Sequence, residues 1–174
     1  LILSPMMLPL IASGNLWRML LDIRWGAVNA AVMFLGFKPI DFLGSTKWAL
    51  PAVILVEIWQ WTPFVVITLL AGLRSVPHEP LEAALVDGAS KWQRFTRIVL
   101  PLMRGQIVVV LLIRSMDVFK TFDTVYALTF GGPGQTTVVA TFYLYRQAFT
   151  QFKLGYGAAL SWIIFVLVYL ISFG

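Results

Sequence analysis

Two sets of polar and aromatic side chains recur at helical spacing inside strongly apolar surroundings. Glu57, Gln60, Trp61 and Phe64 stand at i, i+3, i+4 and i+7, and Arg114, Asp117, Val118 and Thr121 repeat the same spacing. Each set therefore shares one helix face. Carboxylates, amides and hydroxyls exchange hydrogen bonds with the hydroxyls of a sugar or polyol, and the ring of Trp61 or Phe64 suits the apolar face of a pyranose. Ionisable groups in apolar helices are costly and by default face a polar cavity or a partner. The candidate solute-binding residues are therefore Glu57, Gln60, Trp61, Phe64, Arg114, Asp117 and Thr121. A purely structural use stands beside this one: Arg114 and Asp117 are close enough to pair with each other, and Glu57 with a helix of another subunit. Lys120 and Asp123 are expected to reach the outer interface by snorkelling.

Other chemistries lack their parts. There is no cysteine, and His78 is the single histidine, which removes disulfides, thiolate metal sites and cysteine nucleophiles. No G-x(4)-G-K-[ST] phosphate loop is present, and Gly131-Gly132-Pro133-Gly134 is followed by no lysine, so it reads as a turn. The sequence thus offers no catalytic constellation and no metal site, and an enzyme embedded in a membrane is a weaker reading than a transport protein.

The elements that must position these residues are membrane helices. Of 174 residues, 59% are hydrophobic and 12% charged, with a mean hydropathy of +0.84. Lipid tolerates a helix that is apolar all round, whereas a soluble domain of this size needs a polar cover. About 20 apolar residues cross the roughly 30 Å of hydrocarbon. Four stretches qualify, over about 1–21, 49–73, 98–122 and 156–173. The expected fold is an all-α polytopic transmembrane bundle, residues 1–174 forming one domain. The opening at Leu1 inside an apolar run suggests a fragment lacking N-terminal helices. The connection over 22–48, rich in Trp and Phe with interspersed charges, suits a segment at headgroup level, and 138–152 reads as a surface helix. The +5 net charge is scattered over helix ends rather than gathered on one stripe, so it does not indicate nucleic acid.

The loop over 74–100 has the most specific local physics. Pro80 suits a first helical turn, Glu79 and Glu82 complement the positive end of the helix dipole, and Ala83 and Ala84 permit close approach by a partner. Gly88 allows a sharp break, and Ser90 with Gln93 has capping-box spacing for a second short helix. A helix, a break and another helix result, with Ala83, Ala84, Ala89 and Phe95 forming a small apolar face suited to docking, on a membrane surface or on a protein.

Glu82-Ala83-Ala84, Gly88, Ile98, Leu100 and Pro101 match at every fixed position the signature E-A-A-x-x-x-G-x(9)-I-x-L-P of ABC importer permeases. Phe119, Phe122-Asp123, Tyr126, Leu128-Thr129 and Gly131-Gly132-Pro133, together with Asp87-Gly88-Ala89-Ser90 and Gly155-Tyr156-Gly157-Ala158-Ala159, resemble the sugar-uptake permeases of the maltose and glycerol-phosphate type. The resemblance covers nearly the whole chain. It implies that the middle loop is a cytoplasmic coupling helix seated in a cleft of an ATP-hydrolysing subunit, with Glu82, Ala83, Ala84, Asp87, Gly88, Ala89 and Phe95 at the contact. It also implies that the protein is a multi-pass component of the cytoplasmic (inner) membrane. Its partners are a second permease subunit, two ATP-binding subunits that hold ATP and Mg, and an extracytoplasmic solute-binding protein. A passive channel or ion-coupled transporter has no use for such a loop.

Overall fold

The computed structural model describes residues 3–173, and all regular structure among them is helical. Two short helices, α1 (Ser4–Met7) and α2 (Leu10–Leu20), are followed by α3 (Ala27–Phe34) and the long α4 (Ala49–Arg74). Next come α5 (Glu79–Val86), α6 (Lys91–Arg94), a π-helical turn (Phe95–Val99), the single turn α7 (Leu100–Leu102) and α8 (Arg104–Phe119). The chain closes with α9 (Asp123–Leu128), α10 (Ala140–Tyr145), a second π-helical turn (Arg146–Thr150) and α11 (Leu154–Phe173).

Helices α4 and α11 are each long and apolar enough to cross a membrane and lie over the second and fourth apolar stretches. The other two differ. The first expected span, whose Leu1 and Ile2 lie outside the described residues, is broken at Leu8 and Pro9. Pro9 has no N–H to continue a helix and drives the residue before it out of the α region, and Leu8 accordingly has ψ 136°. The third expected span is bent by 64° between the segment ending at Leu102 and α8. Only the 16 residues of α8 run straight beyond that joint.

The main core gathers Leu21, Ala52, Val53, Val56, Val125, Leu128 and Phe142 from α2, α4, α9 and α10. Helices α2 and α9 approach closely because Gly14 faces Ala127: a Cβ on Gly14 would lie 2.6 Å from the Ala127 Cβ. Phe142 is fully buried beneath Phe122, Tyr126 and Tyr145, while Tyr143, Phe149 and Phe152 are exposed, so the segment over 138–152 packs one side into the protein and leaves the other open. The buried side is held by the aromatic cluster. The connection over 22–48 is pinned by buried Asn29. Its amide donates to the carbonyls of Asp22 and Ile40, and its oxygen accepts from the Ile40 N–H at 2.8 Å. At the start of this connection the N–H groups of Arg24 and Trp25 hold the Asp22 carboxyl below its ordinary pKa.

A second, smaller cluster of Val76, Val99 and Met103, flanked by Leu69, Leu81 and Ile107, locks the loop between α4 and α8 into one unit. It joins the C-terminal end of α4, the first turn of α5 and the elbow before α8.

Candidate functional site

Two helix faces meet as the spacing requires. Arg114 on α8 reaches Glu57 on α4, with Nη2 at 3.7 Å from Oε2, and reaches Asp117 one turn further along its own helix at 3.6 Å. Its guanidinium carbon also lies 4.5 Å from the centroid of the Trp61 ring, a cation–π contact. The Arg114–Asp117 pairing foreseen as a structural use is made, and Glu57, expected to pair with another subunit, has Arg114 of this chain as a partner. Glu57 has a further partner that spacing does not reveal. Thr124, buried on α9, donates its hydroxyl to Glu57 Oε1.

This cluster separates two cavities. One, of about 540 Å³, is mostly apolar and is lined by Ile54, Glu57, Trp61, Arg114, Val118 and Thr121 among others. The second, of about 310 Å³, is more polar than the first, with Glu57, Trp61, Asp117, Thr121, Lys120 and Asp123 on its wall. Lys120 and Asp123 thus border a cavity instead of only reaching to the interface. Glu57, Trp61 and Thr121 border both cavities and form the partition between them.

Two of the expected solute-binding residues stand elsewhere. Gln60 is 3% exposed and wholly engaged: its oxygen accepts from Ser13 Oγ, and its amide donates to the carbonyls of Pro5 and Leu8. These carbonyls flank the α1–α2 break, and the Pro5 carbonyl also accepts from the Leu8 N–H at 3.3 Å. Gln60 is a brace for that break, because backbone groups freed inside an apolar environment must find partners in neighbouring elements. Phe64 packs edge-on against Trp61 at 6.5 Å and borders neither of the two cavities. One face of Trp61 is taken by Arg114, so any ring stacked on Trp61 must use the other.

The loop residues fall into a different arrangement. Glu82, Ala83 and Ala84 lie on α5, with Glu79 and Glu82 in its first turn and Pro80 near its start. The helix ends as a Schellman motif: Gly88 has φ +76°, its N–H bonds the Leu85 carbonyl, and the Ala89 N–H bonds the Ala84 carbonyl at 2.9 Å. Asp87 is the C-cap. Helix α6 opens with the expected capping box, Ser90 accepting from the Gln93 N–H and Gln93 accepting from the Ser90 N–H. No residue of α5 is buried, and Leu85, Val86, Trp92 and Phe95 are all exposed. Val86, at 86% exposure, and Trp92, ringed against Phe95 at 6.0 Å, extend the expected docking face. Their apolar character on a loop that also carries Glu79, Glu82, Asp87, Lys91 and Arg94 was the available signal.

Residues 1–174 match the family model described as binding-protein-dependent transport system inner membrane component. The chain is 38% identical over 170 residues to the trehalose/maltose transport system permease protein MalF of Thermococcus litoralis, covering 96% of this chain and 56% of that protein. It is 39% identical over 166 residues to the sulfoquinovosyl glycerol transport system permease protein SmoG of Agrobacterium fabrum, covering 95% of this chain and 54% of that one. A crystal structure of a bacterial ABC transporter involved in the import of the acidic polysaccharide alginate superposes with a TM-score of 0.89 at 27% identity, covering 99% of this chain and 60% of that chain. The chain spans about half the length of the curated relatives it matches.

Proposed function

The chain belongs to the family of binding-protein-dependent transport system inner membrane components, and from that premise we propose that it forms part of the permease of an ATP-driven importer for a sugar or related polyol. Solute passes between α4 and α8 by way of the cavities that Glu57, Trp61, Arg114 and Thr121 divide. ATP is hydrolysed by partner subunits that bind ATP and Mg, and this chain contributes no catalytic group. A second permease subunit and an extracytoplasmic solute-binding protein complete the assembly. The 74–100 loop faces the cytoplasm, and the chain crosses the membrane several times.

The observation that carries this reading is the loop itself. An amphipathic helix, a Schellman break and a capped second helix hold Leu85, Val86, Trp92 and Phe95 in the open, while Val76, Val99 and Met103 fasten the same loop to α4 and α8. Apolar groups so exposed call for a cover, and a loop so fastened transmits rigid-body motion from that cover into the membrane helices. Permease names among the relatives, MalF and SmoG, support a sugar as the class of solute.

The test is purification of the whole transporter through a tag on this chain. Glu82→Lys and Val86→Asp should each lower recovery of the ATP-binding subunits or solute-stimulated ATP hydrolysis by about tenfold, the loss of roughly 1.4 kcal/mol at the contact. Both positions are exposed, so the chain's own thermal stability should be unchanged. Full recovery with full hydrolysis in both variants refutes the coupling assignment.

A further inference from the structure

Arg114 is the cation closest to the proposed solute path, yet its charge is already answered. Glu57 and Asp117 lie at 3.7 and 3.6 Å from it, and Trp61 covers one side of the guanidinium. Its hydrogen-bonding capacity is a separate matter. Those contacts are longer than hydrogen bonds; Nη1, the atom 3.6 Å from Asp117 Oδ2, is itself buried and makes no hydrogen bond. A buried guanidinium N–H without an acceptor costs free energy unless something else supplies one. The other charges bordering the two cavities are Lys120, which is exposed and makes no ion pair among the described residues, and Asp123. Three carboxylates thus stand against two cations around this space.

An anionic group entering here meets a net negative wall whose central guanidinium is engaged twice over. A neutral hydroxyl meets acceptor oxygens on Glu57, Asp117 and Asp123 without that repulsion. We propose that the Glu57–Arg114–Asp117 cluster is a charge filter that admits uncharged polyhydroxy solutes and turns away sugars carrying a carboxylate or sulfonate. The proposal rests on the reading of these cavities as the solute path. Arg114 and Lys120 leave one carboxylate charge of Glu57, Asp117 and Asp123 uncompensated, and the carboxylate oxygens supply acceptors for solute hydroxyls.

The experiment uses the assembled transporter in lipid nanodiscs without its binding protein, so that only the membrane path selects. A neutral maltotriose and a trigalacturonate of the same length are titrated at low and high salt. The neutral probe should bind more tightly by about tenfold at low salt, as one uncompensated charge at this range warrants. The gap should narrow at high salt and in Asp117→Asn and Asp123→Asn, since exposed charge is screened. Asp123 makes no ion pair among the described residues, so its variant tests the filter even if the Asp117 variant fails to assemble. Equal or tighter binding of the uronate, or a gap untouched by salt and by Asp123→Asn, overturns the filter while leaving the path reading intact. Binding of neither probe overturns both.

Discussion

Gly88 offers a perturbation whose size is set by backbone alone. Its φ is +76°, in the left-handed region, and a Cβ added there meets nothing within 4 Å. Steric clash with the rest of the chain is therefore absent, and the cost of a side chain is the cost of holding an L-residue left-handed, about 1–2 kcal/mol. Asparagine tolerates this conformation better than alanine, and a β-branched residue tolerates it least. A penalty of that size changes the population of the break by a factor of about 5–30. If the coupling surface needs the break, apparent affinity for the ATP-binding subunits falls by up to the same factor. Replacement series at this one position separate the explanation from bulk effects. The expected order of solute-stimulated ATP hydrolysis and of subunit affinity is Gly, then Asn, then Ala, then Val. The assay is titration of purified ATP-binding subunits onto the membrane complex, followed by ATP turnover with loaded binding protein. A valine variant equal to the native chain, or an asparagine variant worse than alanine, refutes the backbone argument. Preserved geometry of the Schellman bonds from Gly88 and Ala89 to Leu85 and Ala84 is what the series measures.

Two further outcomes follow from packing. Gln60→Leu keeps the volume but strips partners from the Leu8 carbonyl and the Ser13 hydroxyl, so the complex should lose about 3 kcal/mol of stability, read as a lowered thermal midpoint in detergent; an unchanged midpoint refutes the brace. Gly14→Ala drives a Cβ to 2.6 Å from that of Ala127 and should destabilise the α2–α9 contact by about 1–3 kcal/mol, with Ala127→Gly restoring part of the loss in the double variant; strict additivity of the two changes refutes direct contact.

The elements most legible in the sequence are those whose cause is local. Helices α4 and α11 follow from long apolar runs, the α6 start from the spacing of Ser90 and Gln93, and the α5 stop from Gly88. What escaped depends on partners far along the chain. Glu57 and Gln60 look alike in sequence, two polar residues on one apolar helix face. One borders two cavities and the other is buried against a helix break more than fifty residues earlier, because only the fold reveals that Pro9 leaves carbonyls in need of donors. Thr124 is invisible as a partner of Glu57 for the same reason, being 67 residues away. The amphipathic pattern of 138–152 shows that one side is apolar, but not whether lipid, water or protein covers it. The fully buried Phe142 answers that only once Phe122, Tyr126 and Tyr145 are in place.

The cavity cluster and the loop are joined by the same two helices. Helix α4 carries Glu57 and Trp61 in its first half and ends at Arg74 beside the loop; α8 carries Arg114 and Asp117 in its second half and begins at the elbow next to Met103. At the loop end, Val76, Val99 and Met103 pack as one core with Leu81 of α5. At the cavity end the helices are tied through charge, Glu57 to Arg114. A close-packed apolar core resists separation over fractions of an ångström, since dispersion contacts are lost steeply with distance. The ion pair at 3.7 Å yields more gradually, because Coulomb attraction falls off slowly and Arg114 keeps Asp117, on its own helix, as an alternative partner. If the loop couples as proposed, a displacement of α5 should reach the adjoining ends of α4 and α8 through this core, and the Glu57–Arg114 pair should be the first contact to lengthen.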